Sequence, residues 1–255
     1  MRSHMKNRIR LIVPIITQGL RTEAHAAALG DDDTEISFVT IDNGPETIEG
    51  EFDEVFAKPD TVAKIIQAEQ DGVDAVIIDC MGDPGLAAAR EAVAIPVLGP
   101  CQTAMHVASM LGHRFSVVTV LCRLHPLLDN LASIYGVSGK MTSVRSVDIP
   151  VIELDKDPER LCRALAEQSI RAIEDDGADV IILGCTGMDG LADAIENELM
   201  KARLSGVPVI DPINAAISLA KALLRSKLSH SKRAFGYPRR KKIKGFNLPT
   251  YGNEE

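Results

Sequence analysis

The chain reads as an α/β protein of two pseudo-symmetric lobes, each a parallel sheet of about four strands flanked by helices, with a site in the cleft between them. Two observations carry this reading. Apolar runs of strand length alternate with longer segments of helical period, the pattern of parallel β/α units. The second half also repeats the first: V-D-A-V-I-I-D-C-M-G-D-P-G-L from Val73 to Leu86 is matched by A-D-V-I-I-L-G-C-T-G-M-D-G-L from Ala178 to Leu191. The match brings Cys185 onto Cys80 and continues into the flanks, where E-Q-D-G-V-D (Glu69–Asp74) answers E-D-D-G-A-D (Glu174–Asp179). I-P-V-L-G-P from Ile95 answers V-P-V-I-D-P from Val207. A period this long marks duplicated lobes and not a solenoid.

In chain order, the apolar runs predict strands over Ile9–Val13, Ile36–Ile41, Ala75–Asp79 and Pro96–Leu98. Helices fill Thr17–Leu29, Asp60–Asp71, Pro84–Val93 and Thr103–Leu111. Pro59 and Asp60 supply a helix start signal, and Pro84 suits a first helical turn. The second half predicts strands over Phe115–Val120, Ser143–Asp148, Val180–Leu183 and Pro208–Ile210. Its helices cover Pro126–Tyr135, Pro158–Asp175, Met188–Arg203 and Ala215–Ser226. The expected division is a first lobe over residues 1–100, a second over 101–210, 211–228 packing back on the first, and an extended basic arm over 229–255. The opening M-R-S-H-M reads as partly vector-derived, with Met5 as native initiator.

Composition narrows the class. At 255 residues and 45% hydrophobic the chain can bury a sizeable core. A formal charge of −8 argues against general nucleic-acid binding, which needs a basic face. Lys232, Arg233, Arg239, Arg240, Lys241, Lys242 and Lys244 read instead as a solvated tail or subunit contact. Cys80, Cys101, Cys122, Cys162 and Cys185 form no C-x-x-C pair and are odd in number, which fits reduced thiols in the cytoplasm. Apolar stretches fall short of the ~20 residues of a membrane span. Neither H-E-x-x-H nor a Cys/His cluster calls for a metal.

One cysteine in an apolar strand is ordinarily core packing. Two at matched strand ends, each with a glycine two residues on (Gly82, Gly187) and then a helix, ask for more, because ligands of open parallel sheets collect outside the carboxyl ends of the strands. Backbone amides of such turns favour an anion. Racemisation needs a base on one face of a carbon and an acid on the other, and a thiolate and a thiol fill both roles. With near-attack distances of ~3 to 3.5 Å on each side, the sulfurs should stand roughly 6 to 7 Å apart. Cys101, Cys122 and Cys162 read as structural, with Cys122 close enough to a strand end to line the cleft. Asp79, directly before Cys80 in an apolar run, raises the thiol pKa unless solvated or paired. Asp83 has turn and capping uses, and His106 reads as a helix histidine.

These residues resemble the hydantoin racemases of the aspartate/glutamate racemase superfamily. The resemblance runs from about Arg8 to Gly245 and is carried by C-M-G-D-P-G-L at Cys80, A-M-H-V-A-S-M-L-G-H-R-F-S-V-V-T (Ala104–Thr119), S-V-R-S-V-D-I-P-V from Ser143, and D-G-A-D-V-I-I-L-G-C-T-G-M (Asp176–Met188). It implies a cofactor-independent racemase with Cys80 and Cys185 as the acid/base pair and a 5-substituted hydantoin or allantoin-like small molecule as substrate; a homo-oligomer is also expected. Gly82, Asp83, Thr186 and Gly187 would shape the two turns, and Thr119 and Arg123 would lie on the substrate side. The family's N-P-N signature is here Val13, Pro14 and Ile15, so the substrate differs or Thr17 and Gln18 take over beside Pro14; Met81 replaces a frequent aromatic. Alternatives are an aspartate/glutamate racemase, a maleate-type cis-trans isomerase in which one thiol attacks covalently, and a non-catalytic ligand-binding homologue.

Overall fold

The computed structural model describes residues 6–251, so the expectation for M-R-S-H-M and the end of the expected arm lie outside the described residues. The elements run β1 (Asn7–Val13), α1 (Glu23–Leu29), β2 (Thr34–Thr40), α2 (Glu51–Gln70), β3 (Ala75–Ile78), α3 (Leu86–Ala92), β4 (Val97–Leu98), α4 (Pro100–Leu111), β5 (Phe115–Thr119), α5 (His125–Ile134), β6 (Met141–Ser146), α6 (Pro158–Glu174), β7 (Val180–Leu183), α7 (Ala192–Lys201), β8 (Val209–Ile210) and α8 (Pro212–Arg225). Two four-stranded parallel sheets result, ordered β2-β1-β3-β4 and β6-β5-β7-β8, the same topology used twice. The central strands β3 and β7 are apolar and buried along their length, as burial on both faces requires.

The chain divides into two compact units. Among the described residues the first takes 6–46, Phe52–Gly99 and 216–251; the second takes Thr47–Glu51 and Pro100–Ala215. The short Thr47–Glu51 excursion belongs with the second unit because Glu49 accepts a hydrogen bond from Val151 N–H at 3.3 Å and Gly50 packs against the Arg123 guanidinium.

The repeat extends to side chains. Asp74 accepts the Arg8 N–H at 2.7 Å before β3, and Asp179 accepts the Arg114 N–H at 2.9 Å before β7. Gly72 (φ 76°) and Gly177 (φ 71°) make the preceding turns in left-handed geometry, which a side chain would strain. In the second unit Leu165, Ile181, Leu183, Met188 and Ile195 form a common core between sheet and helices.

Four element expectations need correction. Helix α1 begins at Glu23, capped by Thr22, and not at Thr17, because residues 17–22 form turns. Helix α2 begins at Glu51 and runs through Pro59, which removes only its own N–H from the ladder. Its early turns invert the usual pattern, burying Glu54 while exposing Phe52, Val55 and Phe56, so apolar periodicity pointed away from a helix. Helix α3 starts after Gly85 in left-handed geometry, leaving Pro84 in the turn. Helix α7 starts at Ala192, because a 3-10 turn, Thr186–Met188, intervenes.

The first part of the basic tail is docked and not solvated. His230 Nε2 meets the Val97 N–H at 2.9 Å, and its ring lies edge-on to Phe235. Lys232 Nζ donates to the carbonyls of Arg90 (2.7 Å) and Glu91 (3.2 Å), satisfying the open C-terminal end of α3. Burial pushes His230 down to about 4 and lowers Lys232 as well. No helix among the described residues is long and apolar enough to cross a membrane.

Candidate active site

Each cysteine sits where its strand leaves the sheet, and both turns are closed by the same bonds. Asp79 N–H donates to Ile12 O at 2.8 Å, and Gly184 N–H to Val118 O at 2.7 Å, keeping the residue before each cysteine tied to the neighbouring strand. The Cys80 carbonyl then accepts from Asp83 N–H, and the Cys185 carbonyl from Met188 N–H, both at 3.1 Å. Gly85 (φ 80°) and Gly190 (φ 76°) complete the turns in matching left-handed geometry. The sulfurs are presented alike: a β-carbon placed on Gly82 would lie 3.6 Å from Cys80 Sγ, and one on Gly187 would lie 3.6 Å from Cys185 Sγ. Both thiols are partly exposed, and the Gly82 N–H points at Cys80 Sγ at 3.4 Å, a donor that favours the thiolate. The arrangement suits proton transfer by two similarly held thiols.

Each turn is also clasped to the loop after the last strand of its own unit, with the carboxylate on opposite sides of the clasp. In the first unit Asp83, 5% exposed and at φ 48°, packs its carboxyl against Gly99, where a β-carbon would come within 2.4 Å of it. In the second unit the residue matching Gly99 is Asp211, whose Oδ2 accepts the Gly190 N–H at 2.8 Å and whose Oδ1 accepts Ile213 N–H at 3.0 Å. Burial raises the Asp211 carboxyl above its ordinary value.

The surroundings of the two thiols differ. Asp79 is paired: Arg21 Nε donates to its Oδ2 at 2.6 Å and Nη2 to its Oδ1 at 2.9 Å, with side chains 1% and 0% exposed. Its place in the second unit is taken by Gly184, where a β-carbon would stand 2.8 Å from the Thr119 Cα and 2.7 Å from its Cβ. Against Gly82 lies the Glu54 carboxylate, its Oε1 1.9 Å from a β-carbon there, and Lys58 pairs with it at 2.9 Å. The corresponding neighbour of Gly187 is Leu154.

Of the other residues expected at the site, Met81 and Thr186 are buried within the turns. Thr119 is buried at the end of β5, with its hydroxyl donating to Gly184 O at 3.1 Å. Pro14 is buried, as are Val13 and Ile15 beside it. Thr17 donates to Glu46 O at 2.7 Å, and the Gln18 amide donates to Ile16 O and Thr40 Oγ1, so these donors hold their own loop. Arg123 is exposed and lies on Gly50. Cys122 is exposed, Cys101 is buried within α4, Cys162 packs on the core of the second unit, and His106 is exposed on α4.

Arg21, Glu54 and Asp211 escaped the reading of the sequence. For Arg21 a signal existed, since a carboxylate in an apolar run demands a buried cation. For Asp211 the signal was the change from the glycine of I-P-V-L-G-P to the aspartate of V-P-V-I-D-P, where the other differences exchange one apolar residue for another. Glu54 carried none, because its contact with Gly82 joins segments far apart in the chain.

The fold and paired thiol turns define a class, isomerases built from duplicated α/β units, and comparison gives the family. Residues 15–220 match the model described as Asp/Glu/Hydantoin racemase, and the chain belongs to this family. It is 40% identical over 243 residues to a hydantoin racemase of Rhizobium meliloti, covering 94% of this chain and 98% of that one. It is 38% identical to a hydantoin racemase of Pseudomonas sp. (strain NS671), covering 94% and 93%. Among solved structures, an allantoin racemase from Klebsiella pneumoniae superposes with a TM-score of 0.86 at 35% identity, covering 94% of this chain and 97% of that one. The chain is an isomerase of the racemase type acting on a small molecule.

Proposed function

We propose that the protein racemises a 5-substituted hydantoin or allantoin-like ring by two-base chemistry, with Cys80 and Cys185 on opposite faces of one carbon. The observation that carries this reading is the duplicated turn: equal hydrogen bonds, equal left-handed glycines and equal sulfur placement at the ends of β3 and β7. The thiolate on one side removes the proton at the stereocentre, negative charge spreads onto the adjacent carbonyl oxygen, and the thiol on the other side returns a proton. Backbone N–H groups of the turns at Gly82 and Gly187 are suited to the oxygen that gains charge. Met81 and Thr186 line the turns, Asp83 braces the first of them, and Thr119 supports the second. Arg123 is available to a polar substrate group, whereas Pro14, Thr17 and Gln18 shape the loop after β1. The relatives named as hydantoin and allantoin racemases support the substrate class.

Five free cysteines support a reducing, cytoplasmic setting. The exposed Phe52–Phe56 pair on α2 supports a homo-oligomer, because large exposed apolar patches mark association surfaces.

The test follows optical rotation and solvent-deuterium incorporation for a panel of hydantoins and allantoin with wild type, Cys80→Ser and Cys185→Ser. Wild type is expected to racemise at least one substrate, and each single variant to lose racemisation by about 10³-fold or more, in line with removal of an acid/base group. Full racemisation by either single variant overturns the two-base assignment.

A further inference from the structure

The two thiols are held by one backbone device yet lie in different electrostatic surroundings within their own units. Two carboxylates border this turn, Asp79 next to Cys80 in the chain and Glu54 against Gly82, each with a cation: Arg21 by two short hydrogen bonds and Lys58 across one helical turn of α2. Glu54 Oε1 and Cys80 Sγ flank the same side of Gly82, so they stand no farther apart than the two distances 1.9 and 3.6 Å laid end to end. Asp83, clasped to Gly99, belongs to the same turn, and the His25 ring lies 3.4 Å from Arg21 Nη1. At the corresponding positions around Cys185 the second unit has Gly184 and Leu154, which carry no charge.

We infer that Asp79–Arg21 and Glu54–Lys58 form an electrostatic shell specific to Cys80, in which each cation cancels a carboxylate that would otherwise oppose the thiolate. The inference rests on the reading that Cys80 exchanges a proton during turnover. These four are positioning residues: they set how readily the thiol ionises without touching substrate. A like charge beside an ionising group disfavours the charged form, and an opposite one favours it. Duplicated turns alone would give two equal thiols; the shell makes them inequivalent, because Gly184 and Leu154 stand where Asp79 and Glu54 stand in the first unit.

The sign of the effect is testable. In Asp79→Asn the amide keeps one oxygen for Arg21, so the cation stays while the anion is removed. Arg21 remains charged at every accessible pH. The Cys80 ionisation midpoint is then expected to fall by roughly one pH unit, the size of one charge acting through a partly buried medium. Glu54→Gln is expected to lower it in the same direction. The measurement is peptide-resolved alkylation of Cys80 by iodoacetamide across pH on the full chain, with folding checked by circular dichroism. An unmoved or raised midpoint in folded Asp79→Asn overturns the inference. Should that variant fail to fold, the same outcome in Glu54→Gln overturns it. The readout needs no turnover: a lowered midpoint in a protein that racemises no member of the panel leaves the shell standing and removes the proposed function.

Discussion

Arg21 holds Asp79 by two hydrogen bonds, Nε to Oδ2 at 2.6 Å and Nη2 to Oδ1 at 2.9 Å, in a pair that water scarcely reaches and that immediately precedes Cys80. Removing one partner of a buried pair strands the other charge. Arg21→Met is therefore expected to destabilise the protein by about 3–5 kcal/mol, read from chemical denaturation. The double variant Arg21→Met, Asp79→Leu leaves no stranded charge and is expected to recover most of that loss. Equal instability of single and double variants contradicts this account.

Gly184 cannot accept a side chain cheaply. A β-carbon there would meet the backbone and Cβ of Thr119 at 2.8 and 2.7 Å, inside a buried strand pair where neither partner can retreat. Gly184→Ala is expected to cost about 1–3 kcal/mol and to shift Cys185, the next residue, lowering turnover more than substrate affinity. Steady-state kinetics alongside a denaturation curve separate the two effects.

Asp211 ties the loop after β8 to the turn that follows Cys185, through Gly190 N–H, while capping the start of α8. Asp211→Ala is expected to destabilise by about 1–2 kcal/mol, the usual cost of a lost cap. It is also expected to raise hydrogen exchange at Gly190. Unchanged protection of that amide would show that the clasp is dispensable.

His230 gives the docked tail a pH dependence. Its folded value is about 4 against an ordinary 6.5, because burial opposes the charged ring, with Arg90 next in effect. The unfolded chain thus binds more protons between these limits. The stability contributed by neutral His230 is complete above about pH 6.5 and is lost as the pH falls toward 4. In His230→Gln the denaturation midpoint is expected to vary less between pH 7 and 4 than in wild type. An identical pH profile would show that His230 does not report docking of the tail.

Local sequence determined much of this molecule. Strand length, the Asp74/Asp179 and Gly72/Gly177 punctuation and the matched cysteines are chain-adjacent features, so β3, β7 and their turns were legible from the repeat. Helix α2 was not, because tertiary packing buries Glu54 and leaves Phe52, Val55 and Phe56 outside, against the ordinary apolar pattern. Lys232 was misread for a related reason: it looks like one charge in a basic run until the open carbonyls of α3 are seen beneath it.

The sequence by itself determined that two thiols are presented by duplicated turns, since hydrogen bonding within each turn depends on neighbours in the chain. What surrounds those thiols was decided only by the tertiary structure. Arg21 reaches Asp79, Glu54 reaches Gly82, and Leu154 reaches Gly187 from segments remote in sequence, and burial strengthens charge interactions that sequence spacing cannot reveal.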